Sequence, residues 1–224
     1  MLQIVSPANK FLYGKMLQDM YRLRYRIFVE RWGWDLKIDQ PGLDIDQFDN
    51  ERTIYLIRTN EDQVVTAACR LNPTTHPHLL SEIFPETCNV RGVPTGELIY
   101  ECSRMVIDEV NLDRRDLILA RREMSYGIVV YCQRMGIEQI SWLCHLEAYN
   151  YCIRIWPSKP LGLMVDYGDD QYGAAISEMN DQALQESVRR LRGRIPSVHN
   201  IGSEKLQPEL LYQTADEASE IRLH

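Results

Sequence analysis

The sequence predicts an α/β sandwich, a mixed β-sheet with helices on both faces, and three observations carry that reading. The runs "TIYLIRT" and "VVTAACRL" have strand character and are separated only by the polar turn "NEDQ", which makes them an antiparallel hairpin. A long helical period runs from Asp113 to Met135, with strand-like runs, "LIYECSRMVID" and "IEQISWLC", on either side of it. Helix and strand patterns then keep alternating through the last third of the chain, the order a layered α/β domain shows.

In chain order, the first helix carries "RLRYRIFVERWGW", Arg22 to Trp34. Leu23, Ile27 and Phe28 recur at helical spacing, yet Arg24 and Arg26 sit among them, and Trp32 and Trp34 flank a glycine. Two readings stay open: buried arginine stems packed on aromatics, or the lining of a pocket for a cationic, aromatic or acidic group. The loop "DQPGLDIDQFDNERT" follows, dense in turn residues and carboxylates, and then the hairpin. "PTTHPHLLSEIFPETC" is punctuated by proline and holds a short helix before the third strand. In the long helix Leu117, Met124, Ile128 and Tyr131 mark the apolar face, and Gly136 is placed to end it. After the next strand, "HLEAYNYCIRIW" suits a helix, "LGLMVDYG" and "GAAISEM" suit strands, and "DQALQESVRRLRGR" closes as an amphipathic helix. A single domain is expected over residues 1–196, with 197–224 a loosely ordered tail.

Of the 224 residues, 45% are hydrophobic and 25% charged, which excludes a disordered chain. No apolar run approaches the roughly 18 residues that cross a bilayer, and "MLQIVSPANKFLYG" has no basic stretch followed by an apolar core, so a cytoplasmic protein is expected. A net charge of -7 argues against broad binding to nucleic acid or anionic membrane, so an anionic ligand needs a local basic cluster. The six cysteines, at 69, 88, 102, 132, 144 and 152, show neither a C-x-x-C pair nor a zinc spacing and read as reduced, packed thiols. His76 and His78 have no evident partners for a metal, and none is expected.

Three clusters could carry chemistry. Arg24, Phe28, Trp34, Asp46 and Asp49 would suit a ligand with an amine or sulfonium cation and an aromatic base, since rings and carboxylates both attract cations; equally, "DIDQFDN" reads as an exposed loop whose aspartates cap turns. In "YECSRM", alternation puts Glu101 and Ser103 on one face and Cys102 and Arg104 on the other unless a bulge re-aims one of them. Either Glu101 and Arg104 pair structurally, or Glu101 is a general base with Ser103 a donor to a developing oxyanion. Arg70, at the end of its strand, and Arg114, Arg115, Arg121 and Arg122 could meet the phosphates of a phosphopantetheine-bearing donor, or the four on the helix form a solvated face.

Together these pieces resemble the acyl-homoserine-lactone synthases, the LuxI-type autoinducer synthases. The likeness runs through "RLRYRIFVERWGW", "GLDIDQFDN", "TIYLI", "CRLNPTTHPHLLSEIFP" and "ECSRMVID", and more faintly "KPLGLMVDYG", covering roughly residues 10–175. It implies a fold like the GCN5-type N-acetyltransferases, a mixed sheet split by a V-shaped cleft. It also implies transfer of an acyl group from a thioester, on acyl carrier protein or CoA, to the amine of S-adenosylmethionine (SAM), followed by lactonisation and release of methylthioadenosine, with no further cofactor. The family's motif residues fall on Arg24, Phe28, Trp34, Asp46, Asp49, Arg70, Phe84, Glu101 and Arg104. Phe28 and Trp34 would wall the SAM site, Asp46 and Asp49 favour its positive charges, and Arg24 and Arg104 meet its carboxylate or hold the acidic loop. Glu101 would be the base, directly or through water, Ser103 the oxyanion donor, and Arg70 and Phe84 supports.

The sequence departs from the pattern at Asp44, where the family usually has glutamate. The acyl-pocket half matches least; Trp142, Leu143, Cys144, Leu146 and Trp156 fall there, where ordinary core packing explains them equally well, and two tryptophans could shorten the pocket toward short, branched or aryl chains or form the floor of a long one. The rival is an N-acetyltransferase of the same fold using acetyl-CoA, but its pyrophosphate loop needs glycines where this chain reads "IDEVNLDRRDL". A non-catalytic SAM sensor would keep the pocket without the turnover that Glu101, Ser103 and Arg104 suggest.

Overall fold

β1 (Leu2–Val5), a strand the sequence reading does not foresee, lies inside the sheet with all four residues buried. At four residues it is too short to display an alternation, so pattern alone misses it. The structure, a computed structural model, describes residues 1–200. After a 3-10 turn comes α1 (Gly14–Arg24), which runs directly into a π-helical segment, Tyr25–Arg31. The hairpin follows as β2 (Ile54–Thr59) and β3 (Val65–Pro73), then α2 (Leu79–Glu82), β4 (Ile99–Ile107), α3 (Arg114–Met135), β5 (Gln139–His145) and α4 (Leu146–Cys152). Three strands, β6 (Ser158–Pro160), β7 (Val165–Tyr167) and β8 (Asp170–Glu178), precede α5 (Asp181–Leu191) and β9 (Val198–Asn200).

The strand order is β6-β8-β5-β4-β3-β2-β1-β9, with β7 also on β8. The pairs β4–β5 and β1–β9 are parallel and the others antiparallel, so the sheet is mixed, as expected. β2 is buried along its whole length because helices cover both its faces. On one face Met20, Leu23, Ile27 and Phe28 pack on Val5, Tyr55, Ile57 and Val106. On the other, Met124, Ile128 and Val129 of α3 pack on Leu2, Ile4, Leu56 and Leu71. Gly127 lets α3 lie close, since a Cβ there would come within 2.8 Å of Leu2 Cδ1. α3 keeps its predicted limits: the Asp113 carboxylate accepts the Asp116 amide at 2.8 Å, and Gly136 ends it at φ 69°.

Two predicted elements differ. The run "LGLMVDYG" is not one strand: β7 takes only its end, and Leu161–Gly162 instead lies against the turn at Thr87–Asn89. A Cβ on Gly162 would sit 2.4 Å from the Thr87 carbonyl oxygen, so this approach requires glycine. α4 stops at Cys152, short of the predicted Trp156. Of the segment expected to be a loose tail, residues 198–200 form β9 on the outer edge of β1, and residues 201–224 lie outside the described residues. Among the described residues no helix is long and apolar enough to cross a membrane.

The feature that positions the site is where β4 and β5 part. Their register runs from Ile99↔Gln139 to Cys102↔Trp142 and stops, while β4 continues along β3 and β5 along β8. A bulge lies on β4 just beyond: between Arg70↔Ser103 and Ala68↔Val106 it has one residue more than β3, and Arg104 adopts φ 51°. That left-handed backbone costs on the order of 1–2 kcal/mol for a residue with a Cβ. It is held by what the Arg104 side chain reaches.

Candidate active site

Arg24 ends α1 and is buried, and the acidic loop folds around its guanidinium. Its Nε donates to Asp44 Oδ2 at 2.9 Å, while Nη1 and Nη2 donate to the two Asp49 oxygens at 2.8 and 2.9 Å. Arg70 donates from Nη1 to Asp46, lies 3.1 Å from Asp49 Oδ2, and from Nε reaches Ser103 Oγ at 3.0 Å. Arg104 closes the network, with Nε 3.0 Å from Asp44 Oδ2 and Nη2 3.0 Å from Asp46 Oδ2. Three guanidinium groups and three carboxylates thus alternate. The Asp46 amide and the Tyr55 hydroxyl, each 3.0 Å away, complete the shell of Asp49.

Burial alone would raise the Asp49 pKa, but Arg24 and Arg70 outweigh it and hold the carboxyl far below the usual carboxylate range. Arg104, half-buried, has its pKa lowered by desolvation, against the pull of Asp44 and Asp46. The bulge therefore does what alternation would not: Arg104 joins the loop carboxylates instead of turning to the opposite face. Among the described residues it makes no pair with Glu101.

The aromatic wall stands on the same arginine. The rings of Phe28 and Trp34 stack at 4.7 Å with 6° between their planes, and Arg104 Cζ lies 5.7 Å and 5.9 Å from their centroids. Phe28 is buried beneath, so Trp34, half-buried, offers the reachable edge. This segment is tied to the loop before α3: Arg26 donates to Asp108 at 2.7 Å, and the Trp32 indole donates to Glu109 at 2.7 Å. Asp108 also accepts from Asn111 Nδ2 at 2.9 Å, so side chains close the loop where the rival fold would use glycines.

Glu101 lies in a different environment. It is buried, and its two carboxylate oxygens accept the amides of Leu79 at 2.9 Å and Leu80 at 2.7 Å, at the start of α2. Burial raises its pKa, opposed by those amides, by His78 and by Arg70, with a net upward shift. The register sets Asn72 beside it on β3 and Ser141 on β5, and next to that row Arg70 faces Ser103. Ser103 accepts from Arg70, which leaves its hydroxyl hydrogen free to donate.

The remaining expected residues lie around this centre. Phe84 packs beside Leu80, whose amide holds Glu101, and meets the Tyr167 ring edge-on at 5.0 Å. Trp142 is at the apex where β4 and β5 part, buried in the main core with its indole donating to Ser177 Oγ at 2.7 Å. Cys144 is half-buried further along β5, close to Cys152. Neither belongs to the arginine–carboxylate network. Arg114, Arg115 and Arg121 are exposed on α3. Sequence reasoning did not place Asp44 in the site, although a third carboxylate two residues before Asp46 was a visible signal. Tyr55, Asn72 and Ser141 gave no signal, because each sits in an ordinary strand pattern. Among the described residues no group of three or more metal-type side chains could hold a metal ion.

This open mixed sheet with splayed parallel strands is the fold of the GCN5-type N-acetyltransferases. The structure of Escherichia coli ElaA shares this fold, with a TM-score of 0.55 at 13% identity over 78% of this chain and 97% of that one. The autoinducer synthase family model matches residues 9–147, so the chain belongs to that family and is an acyl-homoserine-lactone synthase, not the rival N-acetyltransferase. The isovaleryl-homoserine lactone synthase of Bradyrhizobium diazoefficiens is 35% identical over 169 residues, 73% of each chain. The structure of a CoA-dependent acyl-homoserine lactone synthase, BjaI, with SAM and isopentyl-CoA superposes with a TM-score of 0.81 at 32% identity, covering 92% of this chain and 95% of that one.

Proposed function

We propose that this synthase takes its acyl group from CoA rather than from a carrier protein, and that the group is short or branched. The observation that carries this is Trp142, which fills the apex of the cleft and is pinned by Ser177, so that it stops an acyl chain entering between β4 and β5. The likeness to an isovaleryl synthase and to a CoA-dependent enzyme supports the same reading. The exposed arginines of α3 would meet the phosphates of CoA.

In this reading SAM lies along Trp34 with Asp46 nearest its cationic groups. Asp46 is the partly exposed carboxylate of the network, whereas Asp49 is consumed by Arg24 and Arg70 and holds the site's shape. Glu101, directly or through water, takes a proton from the ammonium so that the nitrogen can attack the thioester. Ser103 donates to the oxyanion, the thiol leaves, and the methionine carboxylate then displaces methylthioadenosine. Both SAM and the thioester are consumed as substrates, and this chemistry requires no further cofactor. Both are cytoplasmic metabolites, and we place the enzyme there.

The test is purified protein with SAM and a panel of acyl-CoA and acyl-carrier thioesters, read by mass spectrometry for acyl-homoserine lactone and methylthioadenosine together. Product from short branched acyl-CoA is expected. Preference for a long chain, or for the carrier protein over CoA, overturns the donor reading.

A further inference from the structure

The reaction leaves a proton to dispose of. The ammonium loses two protons in becoming an amide nitrogen and the departing thiolate regains one, so each turnover releases one proton inside a buried cleft. Glu101 is the first acceptor in the reading above, on which this inference rests, but it must be discharged before the next cycle.

Behind Glu101 lies an acceptor of suitable chemistry. His78 immediately precedes Leu79 and Leu80, the two residues whose amides bind the Glu101 carboxylate. It is buried, 1% exposed. Its Nδ1 lies 2.8 Å from the carbonyl oxygen of His76, and a carbonyl can only accept, so Nδ1 carries the hydrogen. In the neutral ring Nε2 is then a lone-pair acceptor, and it is buried with no partner among the protein groups of the described residues. Among the other buried atoms in that condition are Asn72 Oδ1 and Ser141 Oγ, on the residues that flank Glu101 in register on either side, and Arg70 Nη2. Buried polar atoms in native proteins are almost always hydrogen-bonded, so such a group around a carboxylate marks a place for polar traffic.

We propose that His78 is a positioning residue for the base: its Nε2 takes over the proton that Glu101 removes from the substrate ammonium and holds it until product leaves. Glu101 is thereby returned to its ionised form, and the imidazole becomes imidazolium with both nitrogens protonated. Nε2 makes no direct hydrogen bond to Glu101, so the transfer passes through a bridging water. The imidazolium charge also favours the carboxylate form of Glu101. The other titratable groups acting on Glu101 are Arg70 from β3, Cys102 beside it on β4 and Cys88 from the turn after α2; on the turn of His78 itself, His76 and Glu82 are exposed.

His78→Asn tests this cleanly, because the Asn amide can still donate to the His76 carbonyl while the acceptor nitrogen is gone. Turnover should fall by about tenfold or more, SAM affinity should stay within about twofold, and the acid limb of the kcat/KM profile should move to higher pH. Independently of turnover, the Glu101 carboxyl resonance, labelled with carbon-13 and assigned through Glu101→Gln, should titrate at higher pH in the variant than in wild type. An unchanged pH profile and an unchanged Glu101 titration overturn the proposal, even if the rate falls, since a purely structural histidine would give that result. If wild type makes no lactone yet the Glu101 titration moves, the pairing stands and the reading of Glu101 as base fails instead.

Discussion

Around Asp49 both carboxylate oxygens meet guanidinium groups, a hydroxyl or an amide, whereas around Glu101 the neighbours Asn72, His78 and Ser141 each keep a buried polar atom with no protein partner. The Asp49 carboxylate is saturated and held low by arginines, although Arg70 Nη2 in the same network is buried without a protein partner; Glu101 stands in an unsaturated row, and its carboxyl is pushed up by burial. A saturated buried network fixes geometry, because every member needs the others. An unsaturated one has room for a substrate atom or a proton. Arg70 belongs to both, binding Asp46 and Asp49 on one side and Ser103 on the other. In the proposed reaction the arginine–carboxylate network supplies architecture and the Glu101 row supplies chemistry.

The comparison breaks most visibly at Asp49. Asp49→Ala leaves Arg24 and Arg70 buried without their shared partner and should cost about 3–5 kcal/mol of stability, read as a large fall in denaturant midpoint. Weakened catalysis in a fully stable variant would move Asp49 from architecture to chemistry. Next in size, Trp34→Ala should weaken SAM binding by roughly tenfold, the order of a lost base–aromatic stack, with little change in turnover at saturating SAM. Calorimetric titration of SAM decides it.

Acid should separate the two clusters. Asp49 has a folded pKa below its unfolded one, so its stabilisation is present above the unfolded value, about 4, and is lost only as pH falls through the depressed folded value. Glu101 has the opposite sign: its folded pKa is raised, so protonating it favours the fold while removing the base. Activity should therefore decline on acidification, above the usual carboxylate range, while the protein is still folded. Parallel pH series of kcat/KM and circular dichroism check this, and coincident loss would contradict it. The smallest effect is Ser141→Ala, which removes a hydroxyl with no protein partner and should shift stability by less than about 0.5 kcal/mol.

Much of the fold was legible because the hairpin, the long α3 and its caps follow local rules. β1 and β9, at four and three residues, carry too little pattern, and their pairing depends on contacts from opposite ends of the chain. The residue types of "DIDQFDN" and "ECSRM" marked segments that the fold brings together, but their partners did not follow from the sequence. Alternation puts Arg104 on the face opposite Glu101 unless a bulge re-aims it, and which case holds was not legible because the bulge, with Arg104 at φ 51°, goes with its pairing to Asp44 and Asp46. Glu101 bound to the amides of Leu79 and Leu80 was illegible for the same reason: backbone donors have no letter in the sequence.

The most direct measurement compares Glu101→Gln with wild type for SAM affinity by calorimetry and for lactone formation by mass spectrometry. The division of labour predicts that SAM affinity stays close to wild type while turnover falls by about 10²–10⁴-fold. Loss of affinity and turnover in equal measure would contradict it, placing Glu101 with the architecture.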